Sequence, residues 1–256
     1  MSNARELADL LNKAQAGVAL TGAGISVDSG IPSFRGADGL WTHYEPLEYA
    51  HIRAFLKNPA KVWKMLLELD EIIGRARPNA AHLALAELER LGKLKGIITQ
   101  NIDNLHQAAG SHRVVEYHGN AHRFVCLGCG RVFTREELDF SRLPLYCRCQ
   151  GLIKPDVVFF GEDIPPRANA AAWELAEHSD LFLVIGTSAE VAPASLLPYV
   201  AKRHGALVVE INLEPTTLTE HLTDYFIQES ANQVLPQALA LLAPKSPPSD
   251  RNSGKS

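Results

Sequence analysis

Long apolar runs are absent from this chain of 256 residues, and no stretch reaches the roughly 18–20 apolar residues that a membrane span needs. A positive excess is absent as well. With 25 Lys and Arg against 29 Asp and Glu, the formal net charge is −4, so there is no global electrostatic case for binding nucleic acid. There is no internal repeat. The opening "MSNARELADLLNKAQ" lacks the basic start and unbroken apolar core of a signal peptide. Leu7, Leu10 and Leu11 instead share one face of an amphipathic helix. These absences lead us to expect a cytoplasmic, reducing location, with neither a membrane nor a nucleic acid as direct partner. Cysteine is scarce and confined, since all four residues fall between positions 126 and 149.

What is present is a chain with 46% hydrophobic residues, enough for a substantial core. Four short apolar runs, "GVALT" (17–21), "KGIIT" (95–99), "DLFLVIG" (180–186) and "ALVVEIN" (206–212), read as strands buried on both faces. Helical patterns over 79–93 and 193–205 lie between them, the second broken or kinked near Pro198. Strands alternating with helices predict an α/β fold with a doubly wound parallel sheet. Two regions interrupt the alternation. Residues 37–77 are a polar loop followed by helical pattern, and 120–152 hold the cysteines among short β-like pieces. Both read as insertions that build a second, smaller domain. The tail 243–256, rich in Pro and Ser, is expected to be disordered.

"CLGCG" supplies Cys126 and Cys129, and "CRC" supplies Cys147 and Cys149. Two thiolate pairs separated by a loop make a tetrahedral four-sulfur site that suits one structural Zn²⁺, with no open position for a catalytic water. Disulfides or free thiols are the other readings, and a reducing compartment disfavours disulfides.

Residues 18–36, "VALTGAGISVDSGIPSFRG", begin like a dinucleotide-binding turn, with Gly22 and Gly24 after a buried strand. The third glycine of that fingerprint is missing, because position 27 is Val27, and Gly30, Pro32 and Gly36 argue against a long helix. Polar residues follow other apolar runs in the same way: Gln100, Asn101 and Asp103; His118; Gly186, Thr187 and Ser188; Asn212 and Glu214. Ligands of open α/β sheets bind at strand carboxyl ends. Each signal has an ordinary counterpart, since Asn and Asp also serve as turn and cap residues and a loop histidine needs no catalytic role. Five such ends on one sheet edge nevertheless point to a binding crevice.

Taken in order, "GAGIS", "GIPSFRG", "TQNID", "YHGN", the cysteine pairs, "FFGE", "GTS" and "INLE" resemble the sirtuins, NAD-dependent protein-lysine deacylases, over roughly residues 5–242. The resemblance implies a Rossmann-type large domain from 1–36, 78–119 and 153–242. The small domain would comprise a cofactor loop and helical module (37–77) and a zinc ribbon (120–152). NAD would be consumed as co-substrate, giving nicotinamide, O-acyl-ADP-ribose and free lysine. By motif, Gly22, Ala23, Gly24, Phe34, Arg35 and Trp41 would line the nicotinamide and phosphate region, and Gln100, Asn101, Ile102 and Asp103 the ribose and carboxamide. Asn101, Asp103 and His118 would be catalytic, His118 as general base. Gly186, Thr187, Ser188, Asn212, Leu213, Glu214 and Ala231 would surround the adenosine half. An acyl-lysine protein or peptide would add as a β-strand between Phe159–Glu162 and the stretch from Val191 to Pro193. Val158, Phe160, Gly161, Glu162 and Val191 would then contact it. A plain core strand is the ordinary reading of "DVVFF".

One departure bears on substrate choice. Desuccinylating members carry a Tyr and an Arg on the helix after an "NP" turn, and those positions are Leu66 and Leu69 here. An apolar pair offers no cation to an acidic acyl chain, so acetyl or longer neutral acyl groups are expected. Both leucines could equally be packing residues. The loop carrying Phe34 and Arg35 reads as a lid, ordered with NAD and loose without it. Mono-ADP-ribosyl transfer to protein is the alternative activity, and a monomer is the expected state.

Overall fold

The four apolar runs form the centre of a six-stranded, all-parallel sheet, shielded on both faces, with a less buried strand at each edge. The structure, a computed structural model, describes residues 2–33 and 44–242. In chain order the elements are α1 (Asn3–Lys13), β1 (Gly17–Thr21), a 3-10 turn (Ala23–Ser29), α2 (Pro46–Tyr49), α3 (Ile52–Lys57), α4 (Pro59–Arg75), α5 (Ala80–Arg90), β2 (Leu94–Thr99), α6 (Leu105–Ala108) and β3 (Val114–Glu116). They continue with β4 (Gly119–Cys126), β5 (Val132–Phe133), β6 (Ile153–Val157), α7 (Pro166–Glu177), β7 (Leu181–Ile185), α8 (Leu197–Arg203), β8 (Leu207–Asn212), α9 (Thr217–His221), β9 (Tyr225–Gln228) and α10 (Ala231–Ala240). Among the described residues no helix is long and apolar enough to cross a membrane.

The large sheet has the order β3-β2-β1-β7-β8-β9. Side chains alternate across it with period two. Leu181, Leu183 and Ile185 join one core with Leu7, Leu11, Leu85, Leu88 and Val234, while Phe182 and Val184 join the other with Leu175, Leu197 and Ala201. Each fully buried Leu or Phe contributes about 1.5–3 kcal/mol, so a polar residue at any of these positions would be costly. The predicted apolar face of α1 packs here, with Leu7, Leu10 and Leu11 all buried. The chain reverses its direction of winding at β1, which is flanked by β2 and β7. That is where crevices open in such sheets.

The second sheet, β5-β4-β6, is antiparallel and covers a core shared with α3 and α4: Phe55, Trp63, Leu66, Phe124, Phe133, Ile153 and Phe159. Arg123 ties the two sheets together, donating to Glu116 at 2.7 Å and to Asp156 at 3.1 Å.

Three sequence expectations need adjustment. The small sheet does not end at 152, because β6 pairs with β4 from Cys126↔Ile153 to Gly119↔Val157. Pro198 does not kink a helix over 193–205; it sits in the first turn of α8, where its missing N–H is no loss, after a 3-10 turn at Ala194–Leu196. Strand β9 was not anticipated. Phe34, Arg35, Trp41, the lid and the tail 243–256 lie outside the described residues.

Candidate active site

Strands β1, β2, β3, β7 and β8 all deliver their following residues to one edge of the large sheet. The turn after β1 and the turn after β7 touch through backbone. Gly24 N–H donates to Gly186 O at 2.8 Å, and a Cβ on Gly24 would lie 2.7 Å from Gly186 Cα. The glycines therefore allow two strand-end turns to meet. No long helix follows, and Val27, at the position of the missing third glycine, is exposed.

Beneath this turn lies a buried polar network. Ser26 Oγ donates to Asp103 Oδ2 at 2.7 Å and accepts from Asn101 Nδ2 at 3.1 Å. Asn101 Nδ2 also donates to Gly22 O at 3.1 Å, and its backbone N–H to Thr99 Oγ1 at 3.1 Å. Thr21 Oγ1 donates to Thr99 Oγ1 and takes the Nε2 proton of His106, both at 2.9 Å. His82 stands 3.5 Å from Ser26 Oγ. Burial pushes His82 down to about 4, opposed by the Asp103 carboxylate. Burial, with His82 beside it, pushes His106 down to about 3. Both imidazoles are neutral at working pH. Asp103 Oδ1 accepts from Leu105 N at 3.0 Å, fixing the turn into α6.

Gln100 and His118 lie above this network. Gln100 Nε2 donates to Thr187 Oγ1 at 3.0 Å, joining the β2 and β7 ends. His118 Nδ1 faces Gln100 O at 3.1 Å. A carbonyl can only accept, so Nδ1 carries the proton and Nε2 is left with its lone pair. Burial lowers the His118 pKa from its ordinary value, and the Gln100 carbonyl acts in the opposite direction. Asn212 Nδ2 donates to Thr187 O at 3.2 Å. Ser188, Leu213 and Glu214 are exposed at the rim, and Ala231 opens α10 beyond β9. The segment after β8 is held from below by buried Glu210, which accepts from Thr216, Thr219 and Thr223 at 2.7, 2.6 and 3.1 Å.

The stretch from Val158 to Glu162 joins the second sheet to this crevice. Val158 N–H donates to His118 O at 2.9 Å. Phe159 turns into the core against Phe55, while Phe160 is exposed and pairs its backbone with Ala50 and Ile52. The Glu162 side chain accepts from Phe159 N at 2.9 Å and pairs with Lys154. Val191 lies in the segment after β7, its carbonyl accepting from Ser195 N.

Leu66 and Leu69 line an apolar cavity with Trp63, Ile102, Phe124 and Val157. Its free space, about 20 Å³, holds no more than one water. The pair is thus a packed wall reaching Ile102 of the "QNID" turn; among the described residues no basic side chain lines it, and Asp70 is the charged group that does.

The four cysteine Sγ atoms lie within 4.8 Å of one another. Cys126–Cys149 and Cys129–Cys147 are 3.4 and 3.8 Å apart, and all four are free thiols. A tetrahedron with Zn–S of about 2.3 Å has sulfurs about 3.8 Å apart, so the donor set fits one zinc with four protein ligands.

Sequence reading missed Ser26, His82, His106 and Lys154. The "GAGIS" stretch held the signal for Ser26. His82 and His106 sit in helical patterns and could be placed only by the fold.

The Sir2 family model matches residues 22–193. A protein of Pyrobaculum aerophilum named NAD-dependent protein deacylase 2 is 49% identical over 231 residues, 90% of this chain and 92% of its own. The NAD-dependent protein deacylase of Pyrococcus furiosus is 44% identical, covering 91% and 95%. Among solved structures, a Sir2 homologue with NAD superposes with a TM-score of 0.86 at 43% identity, covering 92% of each chain. A Sir2 complex with a p53 peptide and NAD⁺ gives 0.85 at 36% identity, covering 92% and 97%.

Proposed function

The chain belongs to the Sir2 family and is an NAD-dependent protein-lysine deacylase, and we propose that the strand-end crevice carries the reaction with His118 as general base. The observation that carries the assignment is the anchored imidazole, whose Nδ1–H is committed to Gln100 O so that Nε2 is free to take a proton. NAD is consumed as co-substrate; its ribose C1′ accepts the acyl oxygen as the bond to nicotinamide breaks, and with one water consumed the products are nicotinamide, O-acyl-ADP-ribose and free lysine.

The residues present suit that co-substrate. The close-packed backbone at Gly22, Ala23 and Gly24 suits phosphate, and Gly186, Thr187, Ser188, Asn212, Leu213, Glu214 and Ala231 suit the adenosine half. Asn101 and Asp103, held by Ser26, fix the shape of the turn that Gln100 and Ile102 share. His118 Nε2 takes the proton released at a sugar hydroxyl. A buried base with a depressed pKa stays neutral and competent through neutral pH.

Acyl-lysine peptides are the second substrate. We assign their docking to the edge at Val158–Glu162, with the peptide added as a strand. The apolar wall at Leu66 and Leu69, whose described lining includes no basic residue, favours neutral acyl groups over succinyl; Arg135 nearby is paired with Asp70. The four cysteines hold a structural zinc. Mono-ADP-ribosyl transfer would share the same electrophile, but the relatives' names favour deacylation. Identification of the products formed from NAD and an acetyl-lysine peptide tests this reading.

A further inference from the structure

Among the described residues a lysine is one of the most deeply buried charged groups, and no catalytic step uses it. Lys154, on β6, has a side chain only 5% exposed. Its Nζ donates to Val157 O at 2.5 Å, approaches Pro155 O at 3.4 Å, and pairs with Glu162 Oε2 at 3.0 Å. The ring of Phe159 lies 4.9 Å from Nζ. An ammonium has three protons to place, and a buried one is tolerated only when they are all received. Here every partner belongs to the segment 155–162.

We propose that Lys154 is a positioning residue for the peptide-docking edge: its buried ammonium, received by Val157 O and Glu162, holds the backbone of Val158–Glu162 in the shape that accepts an added strand. The proposal rests on the assignment of that edge to the substrate peptide. The Val157 carbonyl and the Glu162 carboxylate mark the two ends of the segment, and one cation holds both. Glu162 Oε2 also receives Phe159 N–H, so the carboxylate clamps the middle. Phe160 spends its backbone N–H and C=O on Ala50 and Ile52. Gly161 then turns with φ +84°, over a His51 ring that a Cβ would strike at 2.6 Å. Among the described residues no backbone hydrogen bond engages Gly161, which leaves its N–H and C=O for an incoming strand. Removing the ammonium strands a largely buried carboxylate, which would turn toward water and release Phe159 N–H. No partner of Lys154 lies among the strand-end residues assigned to NAD, so the two substrates should respond differently.

The test compares Lys154→Met and Lys154→Arg with the full-length parent by steady-state kinetics on NAD and an acetyl-lysine peptide. Lys154→Met is expected to raise the peptide KM about tenfold or more, with the NAD KM within about twofold. Lys154→Arg, which restores the cation, is expected to recover most of the loss. An unchanged peptide KM in folded Lys154→Met overturns the proposal. So does an equal rise of both KM values in either variant, which is the signature of general destabilisation. If Lys154→Met does not fold, the Arg variant and Glu162→Gln, which keeps the shape and removes the charge, carry the same KM comparison. The edge is tested separately with a peptide N-methylated at the residues flanking the acyl-lysine. If that peptide binds like its parent, the strand-addition reading fails. If it binds poorly while Lys154→Met is neutral, only the role of Lys154 fails.

Discussion

Zinc removal should disassemble the small sheet and leave the large one standing. Strand β5 has two residues and pairs with β4 only at Phe124↔Phe133 and Val125↔Val132, so backbone pairing alone holds this edge of the sheet weakly. Cys126 is itself a core residue, 1% exposed, packed with Phe124, Phe133, Leu145 and Ile153. Structural zinc contributes about 10–16 kcal/mol in small peptides, as much as the whole net stability of a typical domain at about 5–15 kcal/mol. If only about 3 kcal/mol of that reaches global unfolding, Tm falls by roughly 6–12 °C for a chain of this size. The reporter is built in. Trp63 is buried against Phe124 and Phe140, with ring centroids at 6.2 and 6.0 Å, whereas Trp173 sits on α7 with its N–H on Asn169. A chelator should release one zinc per chain, shift Trp63 emission to the red, and leave the helical circular dichroism of the large domain in place. A background with both Trp41→Phe and Trp173→Phe isolates the signal, since the chain has three tryptophans. Metal released with Tm and Trp63 emission unchanged would refute the reasoning.

Two further predictions concern the chemistry. His118 acts as a base only when neutral, and burial lowers its pKa, so the neutral form persists to lower pH than for an exposed histidine. The acid limb of kcat/KM should therefore fall below about pH 6.5, and His118→Ala should remove that limb together with turnover; an acid limb above that value contradicts the assignment. At the apolar wall, Leu69→Arg should raise kcat/KM for succinyl-lysine relative to acetyl-lysine by about tenfold to a hundredfold, the worth of one charge-assisted hydrogen bond. The parent enzyme should prefer acetyl or myristoyl to succinyl, and succinyl as its best substrate would sink the idea.

Much of the large domain was legible because its strands are buried on both faces. Val18–Leu20, Ile97–Ile98 and Leu181–Ile185 therefore read as unbroken apolar runs flanked by helical periodicity. The four cysteines were legible because scarcity and clustering together leave little else for thiols to do. Strand β9, "YFIQ", escaped because it is a half-buried edge strand of four residues, too short for either period. The small-sheet boundary at 153 was misplaced because β6 continues the ribbon through apolar residues that look like any core strand. Ser26, His82 and His106 come together from three separated segments, and their neutral charge state follows from burial that no local pattern encodes. Lys154 in "LIKPD" reads as a solvated lysine until the turn at Val157–Glu162 wraps around it.

The central claim is most directly tested by mass spectrometry of the products from NAD and an acetyl-lysine peptide, run beside His118→Ala. The account predicts peptide lighter by one acetyl group, with nicotinamide and O-acetyl-ADP-ribose formed in equal amounts, and none of these with the variant. Peptide heavier by an ADP-ribosyl group, or free acetate with NAD intact, would contradict it.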